Sequence, residues 1–238
     1  MAWNIGTDSA EVLNGSRFED WLSGLGGDDS LDGRGGNDTL LGGDGYDQIY
    51  SGSGDDDANG GDGNDRMFGG DGNDELEGGA GFDRLDGGNG HDELEGGYGD
   101  DWMAGKSGND ELDGDWGNDT LWGGSGNDDL EGGSGFDVLR GGAGRDTMEG
   151  GSGNDTMTGG AHADVFEFEA GDGRDRITDF ENGTDRISFD DFSRGDLSAV
   201  LESARQVGDN TVLHVDADTT ITLEDFRVGQ LDASDFLI

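Results

Sequence analysis

Apolar side chains along this chain are few and evenly spaced. From Gly6 onward the sequence divides into windows of nine residues whose eighth place is large and apolar. That residue stands between polar neighbours, as in Glu75-Leu76-Glu77, Glu93-Leu94-Glu95 and Glu111-Leu112-Asp113. Alternation of polar, apolar and polar residues predicts a short β-strand with one buried face. One buried side chain per strand cannot form a core unless many strands stack. Ala58 is the one small residue in the eighth place, and it predicts a thin point in that core.

The other places are as regular. Counting from Gly6 there are 18 windows, and the sixth place is Asp in all 17 from Asp20 to Asp164. The fourth place is Gly in all 15 windows from Gly27 to Gly153, and the frame does not slip between them. A Gly-rich stretch can turn sharply through positive φ with its carbonyls aimed inward, and the following Asp adds an anionic oxygen. Oxygen donors without nitrogen or sulfur favour calcium. Zinc would want His or Cys, and the windows contain only His91 and His162; magnesium would demand a tighter octahedron.

After Glu167 the nine-residue frame stops. Val165-Phe166-Glu167-Phe168 alternates, and residues 170–180 and 182–189 read as turn and strand pairs. Asp196 is placed to cap a short helix with Leu197, Val200, Leu201 and Ala204 on one face. Residues 211–215 and 219–223 read as strands pairing across the turn Asp216-Ala217-Asp218. The expected division is 1–23 degenerate repeats, 24–167 regular repeats, and 168–238 a β-rich cap over the open end.

Composition taken alone gives a different answer. Leu, Ile, Val and Phe make under a fifth of the 238 residues, 52 are Gly, and 13 basic side chains face 57 acidic ones for a formal charge of −44. Such figures describe a disordered chain, but a fixed period over two thirds of the length does not belong to a random acidic tract. The charge excludes nucleic acid as a partner and points to cations. With no Cys there is no disulfide, thiolate zinc site or cysteine nucleophile. The segment MAWNIGTDSA lacks the features of a classical signal peptide, and no apolar run is long enough to span a membrane. An enzyme is not expected. His91, His162 and His214 are the only histidines, no HExxH occurs, and Gly105-Lys106-Ser107 lacks a phosphate-loop Gly five residues upstream, where Asp100 stands.

The windows, GGDGNDELE (69–77) and GGSGNDDLE (123–131) among them, resemble the GGxGxDxUx nonapeptide of the RTX (repeats-in-toxin), hemolysin-type calcium-binding family. The resemblance implies an all-β protein: a right-handed parallel β-roll of 18 residues per turn with a small cap, holding several Ca²⁺ ions between loops one turn apart. It assigns metal-binding roles to Asp29, Asp38, Asp47, Asp56, Asp65, Asp74, Asp83, Asp92, Asp101, Asp110, Asp119, Asp128, Asp137, Asp146, Asp155 and Asp164. With them go the second-place glycines Gly43, Gly52, Gly61, Gly70, Gly79, Gly88, Gly97, Gly124, Gly133, Gly142 and Gly151. The fourth-place glycines Gly45, Gly54, Gly63, Gly72, Gly81, Gly90, Gly99, Gly108, Gly117, Gly126, Gly135, Gly144 and Gly153 complete the set. Stacked carboxylates such as Asp65 and Asp83 would stand about 4.8 Å apart and repel by about 3 kcal/mol at an effective dielectric of about 20. The chain is therefore expected to be expanded without calcium and folded with it. Members of the family leave the cell through a type I secretion apparatus on an uncleaved C-terminal signal. Asp235-Phe236-Leu237-Ile238 is similar to such an ending, so the resemblance implies a secreted, extracellular protein, either free-standing or a module detached from an exoenzyme.

Sorting the variable residues by alternate windows separates two populations. Between residues 24 and 158 all nine aromatics, Tyr46, Tyr50, Phe68, Phe82, Tyr98, Trp102, Trp116, Trp122 and Phe136, fall in windows of one parity. If alternate windows form opposite sides of a roll, one side carries Tyr50, Arg66, Phe68, Arg84, Trp102, Trp122 and Arg140 at strand positions. The other is a wall of acid: Glu75, Glu77, Glu93, Glu95, Glu111, Asp113, Asp129 and Glu131. The aromatic and Arg residues suit contact with another copy, a partner protein or the cap, or else an acidic polysaccharide.

Overall fold

A computed structural model describes residues 3–189 and 194–237. The last three residues of one window and the first three of the next form a single strand, and residues four to six form the turn. In Glu75–Ala80, for example, Glu75-Leu76-Glu77 runs straight into Gly78-Gly79-Ala80. Successive strands of the stack alternate between two sheets, of twelve and thirteen strands among the described residues, beside a short pair formed by Ser134–Gly135 and Ser152–Gly153. Each residue therefore pairs in parallel with the one 18 places on: Glu75 with Glu93 and Leu76 with Leu94 in the first sheet, Arg66 with Arg84 and Met67 with Leu85 in the second. The result is a parallel β-solenoid of about ten turns. Trp3–Ile5 and Val12–Asn14 already lie in register with Trp21–Gly26 and Ser30–Asp32.

Between the sheets the eighth residues form two facing columns. Leu76, Leu94, Leu112 and Leu130 come from the first sheet, Met67, Leu85, Met103 and Leu121 from the second, and each is at most 1% exposed. Ala58 takes its place between Leu40 and Leu76 as expected.

The turns bond along the stack. The fourth-place N–H donates to a carbonyl one turn on, as from Gly63 to Ala80 O (2.7 Å) and from Gly81 to Tyr98 O (2.7 Å). Fifth-place side chains make a second ladder: Asn73 Oδ1 accepts the His91 N–H (2.8 Å) and Asn109 Oδ1 accepts the Asn127 N–H (2.8 Å). This accounts for the frequency of Asn just before the Asp, since a short amide reaches one strand spacing. Gly63 shows why the fourth place admits no side chain. Its φ is 149°, and a Cβ there would fall on the Gly45 carbonyl oxygen. The second place is more tolerant, because Leu25, Arg34, Lys106 and Asp115 adopt positive φ there.

The stack continues past the end of the nine-residue frame. Val165–Phe168 pairs with Arg186–Phe189, which pairs with Phe236–Leu237. In the second sheet Thr156–Ala161 pairs with Arg174–Ile177, then Thr220–Leu223, and the sheet closes with the antiparallel strands Asn210–His214 and Arg205–Val207. The hairpin expected around residues 216–218 is present. The helix Arg194–Ser203 buries Leu197 and Val200, with Leu201 and Ala204 packed alongside. It begins before Asp196, which is therefore an internal residue and not its cap. Phe166, Phe168, Phe180, Phe189, Phe226 and Phe236 fill the end of the core with rings, broad side chains suited to closing a wider space than one Leu per strand can fill. Ile238 lies outside the described residues.

Leu94→Ala should lower the stability of the folded protein by about 2 to 5 kcal/mol. Ala58→Leu, which completes the column between Leu40 and Leu76, should raise it by about 1 kcal/mol. Thermal unfolding of both variants in calcium measures the two shifts, which are expected to have opposite signs.

Candidate metal centre

Because every turn has the same length, the sixth-place aspartates form two columns, one at each edge of the slab. Asp29, Asp47, Asp65, Asp83, Asp101, Asp119, Asp137 and Asp155 stand where the chain passes from the first sheet to the second. Asp38, Asp56, Asp74, Asp92, Asp110, Asp128, Asp146 and Asp164 stand where it returns. None of these is more than 3% exposed. In each column Oδ1 accepts the backbone N–H of the aspartate one turn earlier: Asp47 N–H to Asp65 (2.7 Å), Asp65 N–H to Asp83 (2.7 Å), Asp74 N–H to Asp92 (3.0 Å). The second oxygen, Oδ2, is buried and has no hydrogen-bond partner in any of the sixteen, nor in Asp175. Among the described residues, ion pairs join Arg34 to Asp32, Lys106 to Asp86, Arg176 to Glu224 and Arg227 to Asp209, and none of them reaches a column.

Wherever a window opens with glycine, the orphaned Oδ2 faces that glycine's α-carbon; Asp56 follows Ser51 instead, and Asp175 follows Ala170. A Cβ on Gly60 would lie 2.5 Å from Asp65 Oδ2 and 2.6 Å from the Gly78 carbonyl oxygen; on Gly69 it would lie 2.5 Å from both Asp74 Oδ2 and the Gly87 oxygen. A carboxylate oxygen and a carbonyl oxygen from the next turn thus converge beside a residue that has no side chain. The predicted fourth-place glycines lie in the turns and the second-place ones near the strand ends. Their carbonyls point the opposite way along the stack, that of Gly43 facing Gly61 and that of Gly45 facing Gly63. The first-place glycines were missing from the expected site. Their signal was present, since 17 of the 18 windows open with Gly.

Among the described residues no three His, Cys, Asp or Glu side chains converge as a metal cluster. The donor set is one carboxylate per turn with backbone carbonyls, all hard oxygen, which fits Ca²⁺ and excludes a soft or nitrogen-bound ion. His91 is no part of it, because its Nδ1 accepts the Asn109 N–H (2.7 Å) in the fifth-place ladder.

Burial pushes the column carboxyls up from 3.8, the backbone N–H bond pulls back, and neighbouring carboxylates add to the rise. Asp65 and Asp101 reach about 6, Asp74, Asp83, Asp119 and Asp128 about 7, and Asp155 about 8.

Both ends of the ladder differ from its middle. The Asp155 N–H donates to Asp175 Oδ1 (3.0 Å), 20 residues on, and the Asp164 N–H to Asp185 Oδ1 (3.1 Å), 21 residues on. Insertions shifted these two turns out of the fixed frame, although Gly171-Asp172-Gly173-Arg174-Asp175-Arg176-Ile177 retains the motif. Asp175 keeps an orphaned Oδ2, whereas Asp185 Oδ2 accepts the Glu181 N–H (2.8 Å). At the other end Asp20 Oδ2 accepts the Ser16 N–H (2.6 Å). Backbone groups thus close one column at both ends, while the other ends on the orphaned Asp175.

All seven residues of the expected aromatic and Arg face lie on the outer side of the second sheet, in two adjoining rows. Arg66, Arg84 and Trp102 follow one another in the first row. Tyr50 and Phe68 begin the second row, and Trp122 and Arg140 resume it after Asp86 and Ala104. The Arg84 guanidinium sits 4.0 Å over the Trp102 ring, and Tyr50 stacks on Phe68 at 5.1 Å. The acidic residues occupy the outer rows of the first sheet, Glu75, Glu93, Glu111 and Asp129 in line beside Glu77, Glu95, Asp113 and Glu131. Grouping the nine aromatics on one side by window parity does not hold. Tyr46, Phe82 and Phe136 lie in turns, and Tyr98 and Trp116 pair at the far edge of the first sheet, because a window begins on one sheet and ends on the other.

The RTX calcium-binding nonapeptide repeat matches at residues 5–40, 32–67, 68–101, 95–130, 122–157, 131–166 and 140–177. Curated proteins give no match. Among solved structures the chain is similar to the AlgE6R3 subunit of the Azotobacter vinelandii mannuronan C5-epimerase, with 30% identity over 50% of this chain and 77% of that one and a TM-score of 0.42. It is also similar to the extracellular lipase LipA from Serratia marcescens, with 17% identity and a TM-score of 0.32; 99% of this chain is covered, but only 40% of the lipase. With the family signature matched repeatedly from residue 5 to residue 177, this chain belongs to the RTX calcium-binding nonapeptide repeat family.

Proposed function

We propose that this chain is a secreted module whose β-roll forms when calcium is captured by the two aspartate columns, and that it has no catalytic site of its own. The observation that carries the reading is the line of buried, unpartnered Oδ2 atoms, seventeen in all, which none of the four ion pairs named above reaches. Calcium supplies the positive charge that lets these carboxylates remain ionised while buried. The chain's own residues do the rest. Oδ1 fixes each carboxylate to the turn below, the first-place glycine leaves room, and the second- and fourth-place carbonyls present neutral oxygens. Asp29 to Asp164 in steps of nine, together with Asp175, would hold the ions. Extracellular calcium modules typically bind at about 10⁻⁴ to 10⁻³ M, so the chain would stay expanded inside a cell and fold outside it. That order suits passage through a type I secretion apparatus, whether the module is exported alone or as part of an exoenzyme.

A second role, as a binding module for acidic polysaccharide, is favoured by one observation. Arg84 is already held over the exposed side of the second sheet by Trp102, beside Arg66, so cation and flat ring are presented together.

Far-UV circular dichroism and small-angle scattering should report an expanded chain in chelator and a compact β-structure in millimolar calcium. The same ordered spectrum in both would refute the calcium-driven reading.

The metal-free chain should respond to acid. Burial pushes the column carboxyls up from 3.8 in the folded roll, to about 6 at Asp65 and about 8 at Asp155, so the folded state binds more protons over that interval. Its stability is therefore fully present below 3.8 and lost as pH rises through about 8. In chelator, ordered signal should grow as pH is lowered from 8 to 5, and a flat profile would contradict this electrostatic account.

Trp102→Ala/Trp122→Ala should lose retardation in affinity electrophoresis on an acidic polysaccharide gel in calcium. Mobility equal to the parent's would remove the polysaccharide reading and leave the calcium reading intact.

A further inference from the structure

One window does not open with glycine. Ser51 stands where the other 17 windows have Gly, at the position whose Cβ direction leads into the cradle. A Cβ on Gly33, one turn earlier, would lie 2.6 Å from Asp38 Oδ2; on Gly69, one turn later, 2.5 Å from Asp74 Oδ2. Ser51 has a real Cβ on that bearing, and the carboxylate five residues on is Asp56.

Three facts set this position apart from a tolerated substitution. Ser51 is 0% exposed, and its Oγ has no hydrogen-bond partner. Asp56 Oδ2 is likewise buried and unpartnered, so a hydroxyl on a bearing toward a carboxylate does not donate to it. The ladder is nevertheless unbroken: the Asp38 N–H reaches Asp56 Oδ1 (2.7 Å), and the Asp56 N–H reaches Asp74 Oδ1 (2.9 Å). Ser51 therefore fits the turn, and two buried oxygens are both left without a positive partner.

We propose that the Ser51 hydroxyl is an additional oxygen ligand for a divalent cation at Asp56, which makes this the one cradle with a side-chain donor from its first residue. A neutral hydroxyl is a hard donor, and calcium accepts six to eight oxygens in flexible geometry. The extra ligand falls where the roll is otherwise weakest. The core residue of the same window is Ala58, and Asp55 and Asp57 flank Asp56, adding like charge to the turn. The first observation, a thin core, means that this rung depends more on its cation than its neighbours do. The proposal rests on the calcium reading above and deepens it at one site.

Calcium titrations of the full chain, followed by circular dichroism and by equilibrium dialysis, test it with Ser51→Gly and Ser51→Ala. Ser51→Gly should raise the calcium midpoint of folding by about threefold or more, and Ser51→Ala, which leaves a methyl in the cradle, should raise it further and bind one ion fewer. A midpoint for Ser51→Gly equal to or below the parent's would overturn the proposal, because the hydroxyl would then be neutral or an obstruction. Failure of the parent itself to bind calcium would instead refute the underlying reading. Ser51→Cys gives a readout independent of folding midpoints, since the natural chain has no thiol. In saturating calcium it should take up one Cd²⁺ with sulfur-to-cadmium charge-transfer absorption, and that band should vanish in Ser51→Cys/Asp56→Asn. Undiminished absorption in the double variant would place the thiol outside the Asp56 cradle and refute the assignment.

Discussion

A carboxylate oxygen pressed against a glycine α-carbon, out of reach of water and of any N–H, is the contact on which the rest of this fold depends. An isolated buried charge of this kind is unfavourable by several kcal/mol even after relaxation. The fold repeats it at every turn. Repetition makes the cost cumulative, and the core cannot absorb it with one Leu or Met per nine residues. The usual hierarchy, in which an apolar core forms and polar groups arrange themselves around it, is reversed here. The polar columns decide whether the sheets meet, and the apolar columns decide how well they pack once they have met.

The glycines follow from the same contact. In the first place they leave the carboxylate its space, and in the fourth they let the carbonyl of the previous turn approach the backbone directly. The turn is thus built from absences of side chains, and the Asn and Asp ladders on either side of it do the work that loop packing does elsewhere. At the two ends of one column the chain substitutes its own backbone for the cation, with Ser16 and Glu181 N–H groups satisfying the outermost carboxylates. A stacked architecture needs such terminal rungs, because the outermost turn has a neighbour on one side only.

Much of this was legible in the sequence because the period fixes everything that repeats. Leu76, Asp65 and Gly63 could be assigned to core, column and turn from their places in a window alone. What the period could not convey was where a window meets the sheets. The division of Tyr98 and Trp102, four residues apart in one window, between different sheets required the observation that strands straddle window boundaries. The carboxylates of Asp175 and Asp185 escaped a fixed frame because two short insertions displaced them, although the motif around Asp175 was intact. The helix start at Arg194 was hidden for the ordinary reason that capping preference is local while the approach of a chain to a closing core is not.

The pairing of each residue with the one 18 places on has a consequence for how such a chain can change length. Gain or loss of a single nonapeptide would preserve core, glycines and aspartates, yet it would exchange the outer surfaces of everything beyond the event, moving acid onto the aromatic side and aromatics onto the acid side. Only an even number of nonapeptides can be added or removed without scrambling both exteriors. The interior of this protein therefore counts in nines and its surface in eighteens, and tandem growth that keeps a surface property must proceed by whole turns.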